Sequence, residues 1–177
     1  ASVENKITQI ELQMSNVSEI EINSNLENPF YFLNTGSPHY VTFLDKKINQ
    51  VVENEQISLE HYAVVEEGKK VRYNERFKKE GTTVNFVTRN ANNSEKNSIF
   101  VRTYERGVED ETLSCGTGTV AVALCVAHIR NQSAGQINIK TPGGILSVAF
   151  MKYENKYTDI WLIGAANFVF SGTINID

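Results

Sequence analysis

Cysteine is scarce in this chain, and basic residues do not exceed acidic ones. There are two Cys among 177 residues, and 17 Lys and Arg against 21 Asp and Glu. Cys115 and Cys125 stand ten positions apart. On one helix that spacing is about 15 Å of rise, whereas a disulfide needs Cα atoms within about 7 Å, so the two do not pair. Neither their spacing nor the accompanying histidines suggest a metal site. Two free thiols fit a reducing, cytoplasmic setting. The missing basic stripe argues against nucleic acid or an anionic membrane as the main partner. No apolar run approaches bilayer-spanning length. The start, A-S-V-E-N-K, lacks the basic-then-apolar pattern of a signal peptide. No internal repeat or low-complexity tract occurs. What is left is length enough for one well-buried domain and short for two.

The most informative stretch is T-L-S-C-G-T-G-T-V-A-V-A-L-C, Thr112 to Cys125. Polar residues, a small-residue turn and then helix formers predict a helix N-terminus with Cys115 on it. Free N–H groups and the positive end of the helix dipole would face that thiol and any anion beside it. Both effects favour thiolate over thiol. The helix that follows is apolar on nearly every side, which predicts burial. Cys125, deep within it, reads as a structural thiol.

Strand periodicity appears at Ile10 to Met14 and again at Glu19 to Ile22, with an Asn-rich loop from Asn23 to Pro29. Tyr31 to Leu33 and Tyr40 to Leu44 read as two strands whose turn puts Asn34 to His39 at a sheet end, a usual place for binding residues. Ser58 is a candidate cap for a helix running through Leu59, Tyr62 and Val64 towards Arg72, with Glu66, Glu67, Lys69 and Lys70 on its solvated face. Val84 to Thr88 and Ile99 to Tyr104 are predicted strands around a loop at Ala91 to Asn97. Four more follow the central helix: Ile137 to Lys140, Ile145 to Lys152, Asp159 to Gly164 and Asn167 to Ile176. Together these predict an α+β fold, a curved and mainly antiparallel sheet wrapped around a central helix.

Beside Cys115, the pair Glu105 and Arg106 stands at a strand end. Such a pair is ordinarily a weak surface contact; here it also fits a carboxylate base and a carboxylate clamp. His39 is open between an acid/base group and a turn residue. His61 and His128 fall on helical stretches and read as structural or solvent-facing.

The combination Y-E-R-G-V and E-T-L-S-C-G-T-G, Tyr104 to Gly118, resembles the C-terminal half of diaminopimelate epimerase. T-G-S-P-H at Thr35, G-T-T-V-N-F-V at Gly81, P-G-G-I-L-S-V at Pro142 and W-L-I-G-A-A at Trp161 extend the resemblance over nearly the whole chain. It implies a cofactor-independent isomerase with two thiols: one takes the α-proton of LL- or meso-2,6-diaminopimelate, and the other returns a proton to the opposite face. On that resemblance Cys115 is one of the thiols, Glu105 assists it, and His39 assists the other. Gly116 and Thr117 would hold the reacting α-carboxylate and Arg106 the distal one, with Ser37, Thr83 and Asn85 lining the substrate site. The expected partner is a small diamino-dicarboxylate, without nucleic acid, membrane or metal.

Departures set further expectations. The family's other cysteine motif, G-N-G-x-R-C, does not occur. Residues 1–28 are therefore expected to be the connection out of a missing N-terminal domain, and 29–177 a C-terminal domain inactive alone. The start on Ala1 agrees with that expectation. The exposed cleft wall would then favour self-association, as in a homodimer. Ser37 and Thr83 stand where the family usually has Asn, and Val108 to Thr112 is one residue longer than the usual form. Competing readings are a proline racemase-like or phenazine-type isomerase of the same fold, and a non-catalytic carboxylate-binding domain.

Overall fold

The computed structural model describes residues 8–24, 29–44, 59–89 and 99–175. The apolar helix predicted after Cys115 is α2 (Gly116–Ile129), and every residue from Gly118 to Ala127 is buried. A stripe of burial would leave one face wet, so enclosure from all sides requires a sheet that curls. The strands are β1 (Thr8–Met14), β2 (Glu21–Asn23), β3 (Phe30–Asn34), β4 (Pro38–Phe43), β5 (Thr83–Arg89), β6 (Ile99–Glu105), β7 (Asp110–Thr112), β8 (Ala134–Thr141), β9 (Gly144–Tyr153) and β10 (Lys156–Ala166). They run in the order β1-β10-β9-β8-β6-β5-β4-β3-β2, with β7 added on β6. The pairs β4–β5 and β6–β8 are parallel, and the other strand pairs are antiparallel. α2 touches β3, β4, β5, β6, β8, β9 and β10. The sheet is therefore wrapped around it, as the sequence predicts. Residues 8–24, expected as a connecting segment, belong to this same sheet, and Val17 bridges to Tyr157.

Strand alternation divides the core in two. Leu33, Val41, Val87 and Val101 face α2 together with Ile137, Ile139, Val148 and Ile160. Their neighbours Phe30, Tyr40, Val84, Phe86 and Tyr104 point the other way and pack with Leu59, Val64 and Phe77. A fully buried Val or Leu contributes about 1.5–3 kcal/mol, so both faces are substantial. The second face is covered by α1 (Val64–Arg72). Gly68 of α1 lies so close to Tyr104 that a Cβ there would overlap the Tyr104 side chain.

Two predicted elements differ. The helix expected from Ser58 starts later: Leu59–His61 is a 3₁₀ turn and α1 begins at Val64. The Arg102 guanidinium caps this irregular stretch, its Nη1 lying 2.6 Å from the Leu59 carbonyl and 3.1 Å from those of Glu60 and Tyr62. The Leu59 carbonyl also accepts the Tyr62 N–H (3.3 Å) and the Tyr62 carbonyl the Val64 N–H (2.9 Å), so Arg102 binds over the tight turns that stand where the first helical turn was expected. Ser58 and the loop at Ala91 to Asn97 lie outside the described residues. The Glu66, Glu67, Lys70 cluster is solvated, with ion pairs of 2.9 and 2.7 Å. The strand expected at Asn167 to Ile176 does not form over the described part of that stretch, 167–175. Pairing ends at Ala166, and Phe168, Val169, Phe170 and Ile174 stay 62–82% exposed. Alternation alone makes no strand where no ladder partner is present.

Candidate active site around Cys115

Three strands and one helix end converge here. His39 on β4, Asn85 on β5, and Thr103 and Glu105 on β6 share the face turned towards α2, and the register pairs Val41 with Asn85 and Asn85 with Thr103. Cys115 is the N-cap of α2 with extended backbone angles. Its carbonyl accepts from the Thr119 N–H (2.8 Å) and hydroxyl (2.9 Å), which fixes the first turn. This leaves the thiol at the first turn, where the N–H groups of Thr117 and Gly118 favour its thiolate form. The Thr117 hydroxyl is 3.6 Å from Sγ.

The thiol is not poised as the sequence suggests. Cys115 is 9% exposed, and burial pushes its pKa above the ordinary thiol value. The Thr117 hydroxyl and the Gly118 and Thr117 N–H groups pull the other way, while the charge of Glu105 adds to the rise. The helix end acts as expected and burial outweighs it. Cys125 is wholly buried and its pKa is raised further by desolvation. Neither thiol is in a disulfide.

His39 is 0% exposed. Its Nε2 lies 3.0 Å from the Ser37 hydroxyl and 3.0 Å from the Thr117 hydroxyl. Its Nδ1 lies 3.3 Å from the Asn85 amide nitrogen. Burial, with the Arg106 charge, lowers its pKa to about 3, so the ring is neutral at physiological pH. Glu105 accepts from the Thr112 hydroxyl at 2.7 Å. Arg106 is exposed and donates through Nη1 to the Glu80 carbonyl at 2.9 Å, and its N–H meets the Thr83 hydroxyl at 3.2 Å.

The sequence and the architecture are matched in known proteins. Residues 31–169 fit the family described as diaminopimelate epimerase. The chain belongs to the diaminopimelate epimerase family. A diaminopimelate epimerase of Flavobacterium psychrophilum is 41% identical over 165 residues, covering 93% of this chain and 57% of that protein. Those of Chlorobaculum tepidum and Archaeoglobus fulgidus are 33% and 38% identical, covering 82% and 83% of this chain and 50% and 44% of theirs. The chain thus spans about half the length of the epimerases it matches. A solved probable proline racemase from Agrobacterium radiobacter K84, with bound carbonate, superposes with a TM-score of 0.61 at 17% identity, covering 96% of this chain and 54% of that one. That likeness is one of fold.

Against this family background, the structure brings together Cys115, Thr117, His39, Ser37 and Asn85 as one hydrogen-bonded group. Glu105 lies close enough for its charge to act on Cys115. Thr83 is 3% exposed and its hydroxyl is engaged by the Arg106 backbone. Asn85, expected along the substrate site, lies beneath His39 with no exposed surface. Sequence reasoning missed the Thr117 hydroxyl, which sits between His39 and Cys115, and the Thr103 and Thr112 hydroxyls that hold Asn85 and Glu105. The available signal was polar residues on the inward face of otherwise apolar strands.

Proposed function

We propose that this chain supplies one face of an active site that interconverts LL- and meso-2,6-diaminopimelate, an isomerase reaction needing no pyridoxal phosphate, in lysine and cell-wall precursor synthesis. What carries the reading is the Cys115 thiol at the start of a buried helix, under the Thr117 and Gly118 N–H groups and beside Glu105, in a chain of this family. In the reaction Cys115 as thiolate takes the α-proton, and a thiol on the opposite face returns one, inverting the carbon. Glu105 takes up the proton that Cys115 must lose before it acts as base. The carbanion formed beside the carboxylate needs oriented donors, and the amides of Gly116 and Thr117 at the helix start are assigned to it. Arg106, with donors beyond the one bound to Glu80, holds the distal carboxylate.

Cys125 does not serve as the opposing thiol, since it is sealed in the core. The second thiol comes from polypeptide outside these 177 residues. Ile10, Leu12 and Leu113 are 50–71% exposed and offer apolar side chains to that partner or to a second copy of the chain. A cytoplasmic setting keeps both thiols reduced. The test mixes this chain with the separately made first half of the Flavobacterium enzyme and follows solvent deuterium into the α-carbon. The mixture is expected to invert diaminopimelate, and the Cys115→Ala mixture and the chain alone are expected to be silent. Inversion by the chain alone, or by the Cys115→Ala mixture, overturns the reading.

A further inference from the structure

Beneath the thiol lies a buried polar column whose direction can be worked out atom by atom. The Asn85 side chain is its anchor. One end of the amide lies 3.0 Å from the Tyr40 carbonyl. A carbonyl only accepts, so that end is the NH₂ group. The other end receives the Thr103 hydroxyl at 3.1 Å. Orientation of an Asn amide is ordinarily ambiguous; here the Tyr40 carbonyl removes the ambiguity. The second N–H of the same NH₂ group faces His39 Nδ1 at 3.3 Å. A ring nitrogen facing a donor must present its lone pair.

We propose that Asn85 is a positioning residue that sets the tautomer of His39, keeping the ring proton on Nε2 and making His39 a hydrogen-bond donor towards Cys115. A neutral imidazole carries one N–H, and Asn85 denies it to Nδ1. The single Nε2–H is then shared between the hydroxyls of Ser37 and Thr117, each 3.0 Å away. Once the Thr117 oxygen accepts from the ring, its own proton is free to point at Cys115 Sγ, 3.6 Å away. The column reads Asn85 N–H to His39 Nδ1, His39 Nε2–H to Thr117 Oγ1, Thr117 O–H to Cys115 Sγ. Every step donates towards the sulfur, the arrangement that favours thiolate over thiol. Both Asn85 and His39 are 0% exposed, so water does not substitute for either partner. The tautomer follows from geometry alone; its service to proton transfer rests on the function proposed above.

The test reads the ring directly. In the ¹⁵N-labelled chain, two-bond proton–nitrogen correlations should show His39 protonated at Nε2 and bare at Nδ1. Asn85→Asp replaces the donor by an acceptor of the same shape, and should move the proton to Nδ1. Thr117→Val should leave the ring pattern unchanged and slow alkylation of Cys115 at fixed pH several-fold, because the last donor is gone. A wild-type ring protonated at Nδ1, or an unchanged ring in Asn85→Asp, overturns the assignment. If Asn85→Asp does not fold, the wild-type spectrum decides by itself. None of these readouts needs catalysis, so a failed complementation and a failed tautomer are told apart.

Discussion

Gly118 of α2 rests directly against the Asn85 side chain of β5: a Cβ at Gly118 would stand 2.6 Å from Asn85 Oδ1 and 3.3 Å from Cys115 Sγ. The helix end and the polar column are therefore in contact at a place where a methyl group does not fit. Asn85 has no room to yield, being held by Tyr40, His39 and Thr103.

From that contact, Gly118→Ala is expected to destabilise the chain. In an open helix the change would gain about 1 kcal/mol from helix propensity. Here overpacking against a fixed amide costs about 1–3 kcal/mol, and the net effect is a lower Tm. Thermal unfolding by circular dichroism checks it, and an increased Tm would refute the packing argument.

The raised thiol pKa gives a second expectation. Alkylation of Cys115 should accelerate with pH through a midpoint above that of an ordinary thiol, since burial is the largest cause of the shift. Glu105→Gln removes a negative charge and should move the midpoint down. Thr117→Ala removes a stabilising hydroxyl and should move it up. Mass spectrometry of the alkylated chain across a pH series measures all three, and Cys125 should stay unlabelled while the chain is folded.

Glu109 has backbone φ of 59°, a left-handed conformation that costs a non-glycine residue about 1–3 kcal/mol. Its carboxylate accepts from Arg72 Nε (3.2 Å), the Tyr73 hydroxyl (2.8 Å), the Tyr104 hydroxyl (3.1 Å) and the Gly107 N–H (3.2 Å). These bonds tie α1 to the turn carrying Glu105 and Arg106. Burial alone would raise the Glu109 pKa, but the hydrogen bonds and the Arg72 charge outweigh it and hold the pKa below the usual value. A depressed pKa stabilises the fold above the unfolded-state pKa and loses that contribution as pH falls through the folded-state value. Glu109→Gln should cost about 1–3 kcal/mol at neutral pH. Denaturant titrations should show that difference shrinking in acid; a difference independent of pH would exclude the charge as its source.

Much of the fold is legible in the sequence because its signals are local. Alternation marks β1 and the region of β2, strand-like runs between turns mark β5, β6, β8 and β9, and the all-round apolar run marks α2 as the enclosed helix. The start of α1 is not legible, because the stretch before it is held by a long-range contact, Arg102 reaching across from β6 to the carbonyls of Leu59, Glu60 and Tyr62. The stretch from Asn167 reads as strand-like and forms no strand over its described part, 167–175, since a ladder needs a second chain segment that the first does not announce.

For the site, the sequence by itself determined where the candidate thiol stands and which groups flank it, since Cys115, the turn behind it and the Glu105–Arg106 pair are neighbours along the chain. Only the tertiary structure decided the thiol's state and its connections. Whether a helix N-terminus lowers a pKa depends on how deeply the sulfur is buried, and burial is a property of the closed sheet. The column from Asn85 through His39 and Thr117 joins residues 46 and 78 positions apart. No local pattern encodes it; the register of β4, β5 and β6 against the first turn of α2 does.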